Sequence, residues 1–145
     1  AKEREQFGRP VAEFQGLQWM LADMSVQIEA ARSLLHKAAL SAGQNGSPFP
    51  DPTLAAQGKI FTSEMALKVT NDALQMFGAR GYSRNYPMER LARDARMFTI
   101  GGGTAQILRT VVASRILEMK LPQTREGFLQ MAEREASKKS LQAAE

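Results

Sequence analysis

Two long stretches of helical periodicity, parted by a proline-rich break, leave this chain little choice of architecture. Phe14, Leu17, Leu21, Met24, Ile28, Ala31 and Leu35 recur at the three- and four-residue spacing of one helix face. That spacing predicts a helix from about residue 12 to 42, entered after Pro10 and left at Gly43. At roughly 1.5 Å per residue it spans about 45 Å. A second helix, from about 53 to 77, carries Leu54, Ile60 or Phe61, Met65, Val69, Ala73 and Phe77, with Gly78 placed to cap its end. Between them the segment QNGSPFPDP has the prolines, glycine and turn-forming polar residues of a loop. Helices this long bury their apolar stripes side by side. The expected fold is therefore all-α, an up-down four-helix bundle.

Trp19, Val26 and Ala30 draw a second apolar line on the first helix. A helix apolar on two sides is expected to pack against more than one neighbour. Beyond Gly78, ARGYSRNYP reads as turn, and a short helix is expected from about 87 to 95, with Pro87 in its first turn. A third long helix from about 104 to 120 carries Ile107, Val111 and Ile116, and Pro122 is expected to end it. The remainder, TREGFLQMAEREASKKSLQAAE, is charged, with a thin stripe of Phe128 and Met131. Residues 1–121 are read as the bundle domain and 122–145 as a helical arm. No strand and no internal repeat is expected.

Composition removes several chemistries. The chain has no cysteine, so it offers no disulfide, thiolate metal site or cysteine nucleophile. Its one histidine, His36, lies within the helical pattern beside Lys37 and is read as a structural helix residue; no metal site is expected. No apolar run approaches the roughly 20 residues of a membrane span, and no signal peptide is expected at the start. The net charge of +4 comes from dispersed lysines and arginines, and the densest run, Arg84 to Arg96, is interrupted by Glu89 and Asp94. A nucleic-acid partner is not expected.

The segment FTIGGGTAQILR carries the most chemistry. Gly101, Gly102 and Gly103 clear every Cβ from a close approach, and Thr104 stands where it can cap the helix that follows. The free N–H groups of such a helix start favour an anionic or electron-rich partner. By itself the run also reads as a flexible linker.

Three separated motifs together resemble the C-terminal domain of the acyl-CoA dehydrogenases. They are REQFGRPVAEFQ (Arg4 to Gln15 within it), QMFGARGYSRNYPMERLARDAR from Gln75, and IGGGTAQILR. Their order and spacing agree with the family over residues 1 to about 120. The resemblance implies a helical bundle forming the third domain of an FAD enzyme that oxidises the Cα–Cβ bond of an acyl-CoA thioester. It implies a homo-oligomer with the flavin lying across a subunit boundary, in the cytoplasm or, in a eukaryote, the mitochondrial matrix.

Carried over by position, the resemblance assigns Arg4 to the pyrophosphate of a neighbouring subunit's FAD, bordered by Gln6 and Phe7. Phe14 and Gln15 flank the cofactor. Gln75, Met76, Phe77, Gly78 and Ala79 match the adenosine-side segment, with Ala79 where a second glycine is usual. Thr104, Ala105 and Gln106 match the FAD-binding turn, and Gly102 and Gly103 fall where the thioester end of the substrate passes. Arg93 and Asp94 are expected in a structural salt bridge.

In many members of that family a glutamate precedes the Gly-Thr pair and acts as the base. Here that position is Gly102, which has no group to accept a proton. The branch containing isovaleryl-CoA and long-chain dehydrogenases also lacks it and holds the base on an earlier helix, which would precede Ala1. The chain by itself is therefore expected to be a fragment without catalytic competence. Without flavin, the remaining reading is a helical module for protein–protein interaction.

Overall fold

The computed structural model describes residues 1–122 and 125–142. Its helices are α1 (Gln15–Leu40), α2 (Pro52–Phe77), α3 (Ala79–Tyr82), α4 (Met88–Phe98), α5 (Ala105–Ile116) and α6 (Arg125–Gln142). The all-helical bundle expected from the periodicity is present, and its organising element is α2, against which α1, α4 and α5 all pack.

The start of α2 follows from its sequence. The Asp51 carboxylate accepts the Leu54 N–H at 2.9 Å, and Pro52 occupies the first turn, where its missing N–H costs nothing. Across the α1–α2 loop, the Asp51 N–H donates to the Ser41 hydroxyl at 2.8 Å, closing the hairpin. Further along, Gly58 faces Leu35 and Ala38, which fixes the two helices as antiparallel neighbours. Towards the other end of the pair, the exposed Lys68 is held protonated above its ordinary value, chiefly through its hydrogen bond to Asp72 and also through the charge of Asp23 on α1. This register brings the start of α1 and the end of α2 to the same end of the bundle.

Helix α4 also runs antiparallel to α2. The Phe77 and Tyr86 rings meet edge to face at 6.1 Å at one end, and Lys59 on α2 reaches Gly103 beyond the other. Between α2 and α4, α3 presses so closely on the preceding helix that only glycine fits at position 81. A Cβ there would lie 2.5 Å from the Leu74 carbonyl oxygen and 2.9 Å from the Phe77 Cβ.

Several expectations need correction. A short antiparallel pair, β1 (Glu5–Gln6) and β2 (Arg9–Pro10), opens the chain where no strand was expected. Its two-residue turn, Phe7–Gly8, has φ of 53° and 76°, the left-handed pair of a hairpin turn, and the strands are too short to show alternation. Helix α5 stops at Ile116 rather than near 120. There the Ser114 hydroxyl donates to the Met119 carbonyl at 2.6 Å and the Met119 N–H donates back to Ser114, with Glu118 left-handed at φ 51°, so side-chain capping ends the helix before Pro122 can. Arg93 pairs with Glu89 one turn back, at 3.3 Å, because neighbours in sequence do not face each other on a helix.

The core is built of small residues. Ala31, Ala38, Ala56, Ala95 and Ala105 are buried, with Met24, Met88, Ser41, Ser63 and Thr99, and no large side chain among the described residues is fully enclosed. The second apolar line of α1, expected to be packed, is open: Trp19 is 62% and Val26 66% exposed. Among the described residues only α2 covers α1 extensively, so its other side stands largely open. The arm helix α6 packs extensively on no other helix, and its first turn is tied to the connector by the Lys120–Glu126 ion pair. Residues 123, 124 and 143–145 of the expected arm lie outside the described residues.

Candidate functional site

The residues singled out in the sequence gather into two patches at different heights along α2. The first lies where α1 begins and α2 ends. Arg4 is exposed beside the hairpin, and its carbonyl accepts the Val11 N–H at 2.8 Å. Phe7 sits at the hairpin tip, 86% exposed, in a left-handed conformation that a bulky side chain rarely adopts. Its ring meets Phe14 edge to face at 6.2 Å, and the Arg9 guanidinium lies over the other aromatic at 4.4 Å from the Phe14 centroid. Gln6 lies in β1, and Gln15 opens α1 with its side chain exposed.

At the same end, Gln75, Met76 and Phe77 form the last turn of α2, and Gly78 and Ala79 start α3. Gly78 caps α2 as the sequence implied: its N–H donates to the Gln75 carbonyl at 3.0 Å. Gln75, Phe77, Gly78 and Ala79 are exposed and Met76 half-buried, so this segment presents a surface rather than a cavity.

The second patch is the glycine turn. Gly102 and Gly103 have φ of 67° and 91°, which explains why glycine is needed at both. A Cβ on Gly102 would meet nothing within 4 Å, so open space stands in front of this residue. The Thr104 hydroxyl accepts the Ile107 N–H at 3.2 Å and caps α5. Ala105 is 1% exposed and its N–H donates to the Thr99 carbonyl at 3.0 Å, so it supports the turn from inside rather than lining it. No protein group accepts from the N–H groups of Gly102, Gly103, Thr104 or Gln106 among the described residues. They remain free donors on an exposed turn.

Sequence reasoning missed what fixes this turn. The Lys59 ammonium donates to the Gly103 carbonyl at 2.6 Å, and the Arg109 guanidinium bonds Glu64 at 2.7 Å, so two side chains pin the turn and its helix to α2. That bond, and the charge of Arg109, hold the Glu64 carboxyl below the usual carboxylate range; both side chains are about half exposed. Arg9 over Phe14 was missed as well. Each pairing joins residues whose meeting depends on packing or on a turn, and none leaves a local signature.

The two patches are far apart. From Lys59 to Phe77, α2 rises by about 27 Å. One copy of the chain thus presents the glycine turn and the hairpin end as separate surfaces. Among the described residues no helix is long and apolar enough to cross a membrane, and no group of acidic or histidine side chains converges as a metal site.

The family described as acyl-CoA dehydrogenase, C-terminal domain, matches residues 1–117. A 3-sulfinopropanoyl-CoA desulfinase of Advenella mimigardefordensis is 70% identical over 132 residues, covering 91% of this chain and 32% of its own length. A short-chain-specific acyl-CoA dehydrogenase of Clostridium acetobutylicum is 45% identical over 115 residues, 79% of this chain and 30% of its own. Among solved structures, butyryl-CoA dehydrogenase from Megasphaera elsdenii superposes with a TM-score of 0.74 at 44% identity, over 80% of this chain and 30% of that one. The chain thus spans about a third of the length of these relatives. The desulfinase match, at 132 residues, necessarily runs past residue 117 into the first turns of α6. The chain thus belongs to the acyl-CoA dehydrogenase family, as the C-terminal helical domain.

Proposed function

We propose that this domain lines FAD and an acyl-CoA thioester in a full-length protein that removes the sulfino group from C3 of a propanoyl-CoA thioester. The observation that carries this reading is the degree of likeness: 70% identity to a desulfinase against 45% to a dehydrogenase. Gly102 supports it. A dehydrogenation needs a base for the α-proton, whereas breaking the C3–S bond needs a proton delivered to carbon and an oxygen from water delivered to sulfur. That exchange draws on no external electron acceptor, so a carboxylate at position 102 has no required task.

Relatives in the family are FAD enzymes, and the residues here fit such a group. The glycine turn supplies free N–H donors and open space, and the hairpin end supplies an exposed guanidinium and a rigid aromatic. Thr104 and Gln106 would hold the cofactor at one patch; Arg4, Gln6, Phe7, Phe14 and Gln15, with residues 75–79, would hold it at the other. Guanidinium suits phosphate because it offers a fixed fork of donors. Bound FAD supplies a hydride-accepting ring in the dehydrogenases. Because the patches lie about 27 Å apart, we read them as serving two different flavins, each shared between two copies of the domain. Exposed Trp19, Val26 and Ile116 suit the contacts such an oligomer needs. Residues 1–121 are the bundle in this reading, 122–145 an arm, and the protein is cytoplasmic.

The test is product analysis. Full-length protein given 3-sulfinopropanoyl-CoA should release sulfite, detected by its reaction with a disulfide reagent, without lasting loss of the visible flavin band. Bleaching by butanoyl-CoA with no sulfite release would overturn the reading in favour of α,β-dehydrogenation. The isolated domain with FAD should do neither, and bleaching by the domain alone would contradict its assignment as a non-catalytic part.

A further inference from the structure

The glycine turn has two successive left-handed glycines, and a peptide following such residues can rotate at little steric cost. Something must decide which way the Gly103–Thr104 peptide faces. In a trans peptide the carbonyl and the N–H point in opposite directions, and no cis bond occurs among the described residues. Lys59 binds the Gly103 carbonyl from α2 at 2.6 Å, so the Thr104 N–H is turned away from α2. Among the described residues no protein group accepts from that N–H.

Lys59 stands on a firm base for this task. It is half-buried, one residue from Gly58, which faces Leu35 and Ala38 of α1. Five residues on, Glu64 holds Arg109 of α5. The turn is thus referenced to α2 at one point before the glycine–threonine junction and one point after it. Flipping the junction would break a charge-assisted hydrogen bond and leave an ammonium facing an N–H.

We propose that Lys59 is a positioning residue: by holding the Gly103 carbonyl it aims the Thr104 N–H at the flavin. This rests on the reading above that places FAD against the turn. It assigns Lys59 no contact with cofactor or substrate.

The experiment uses the full-length protein, freed of FAD and titrated with it, following flavin fluorescence and the position of the visible band. Lys59→Met should weaken FAD binding about tenfold, the worth of one charge-assisted hydrogen bond, and shift the band. Lys59→Arg keeps a donor and should recover most of both. Equal affinity and an unshifted band in a folded Lys59→Met protein would overturn the proposal. In the wild-type protein the Thr104 amide resonance should move when FAD binds, a result that does not depend on any variant folding. An unmoved resonance would also overturn it. A wild-type protein that binds no FAD refutes the cofactor reading, and the role of Lys59 with it. A wild type that binds FAD beside an indifferent Lys59→Met refutes the role alone.

Discussion

Replacing Gly81 with alanine sets two effects of opposite sign against each other. Gly81 lies in α3 with an ordinary φ, so helix propensity and the unfolded chain's lost freedom both favour alanine, by about 1 kcal/mol. Against this, the new Cβ would sit 2.5 Å from the Leu74 carbonyl oxygen, about 0.9 Å short of the 3.4 Å where ordinary contact begins. It would also lie 2.9 Å from the Phe77 Cβ. Neither obstacle is a flexible chain end, so α3 must lift from α2. Forced overpacking of this kind costs about 1–3 kcal/mol, and a backbone obstacle places it near the top of that range. The net loss is then about 2 kcal/mol, which lowers the thermal midpoint by roughly 4–8 °C in a chain of this size. Gly16→Ala is the control: it is helical, its Cβ meets nothing within 4 Å, and the midpoint should hold or rise. Circular dichroism melts of both variants check this. A Gly81→Ala midpoint at or above wild type would refute the reasoning, because it would show that α3 yields without cost.

Three further outcomes follow from the structure. Glu64→Gln should lower the midpoint at neutral pH and cease to do so in acid. The carboxyl is held below its ordinary value by Arg109, so its contribution is complete above the unfolded value of about 4.3 and is lost as pH falls through the lower folded one; a difference that persists below that window would contradict the ion pair's role. In full-length protein, Gly102→Glu places a Cβ that meets nothing within this domain and costs about 1–2 kcal/mol of left-handed strain. It should give butanoyl-CoA the power to bleach bound flavin, and no gain in bleaching would show that a base at this position does not reach the substrate. The isolated chain should self-associate through its exposed apolar faces, and a monomeric sedimentation profile at all concentrations would count against that.

Helix periodicity made the bundle legible because α1 and α2 are long enough to repeat their pattern many times. Gly78 and Thr104 marked helix ends because capping is local chemistry, whereas Asp51 and Pro52, read as loop, turn out to cap and open α2. The glycine turn and the Arg4-to-Gln15 segment were legible as motifs, and the structure places both at the surface. What stayed hidden depends on geometry across the chain. Lys59 and Gly103 are 44 residues apart, and their pairing follows from how α4 returns along α2. The end of α5 was hidden too, because the Ser114–Met119 exchange stops the helix before the proline that looked like its terminator. The apolar stripes told which residues avoid water, but not whether a neighbour in the same chain covers them. Trp19 and Val26 have the pattern of a core and the position of a surface.

A core of alanine, glycine and serine reverses the customary way of finding a domain's centre by mutation. Trimming a large apolar side chain usually exposes the core by leaving a void, yet here Trp19, Leu40 and Ile116 already face outward and would leave none in the isolated chain. Enlarging Ala31, Ala56 or Ala95 should be the damaging change, because these positions set how near the helices come. In the assembled protein, trimming Trp19 should hurt again if a neighbouring copy covers it. A substitution scan of the free domain and one of the full assembly should then disagree most at the large residues, and the map of that disagreement would draw the subunit boundary.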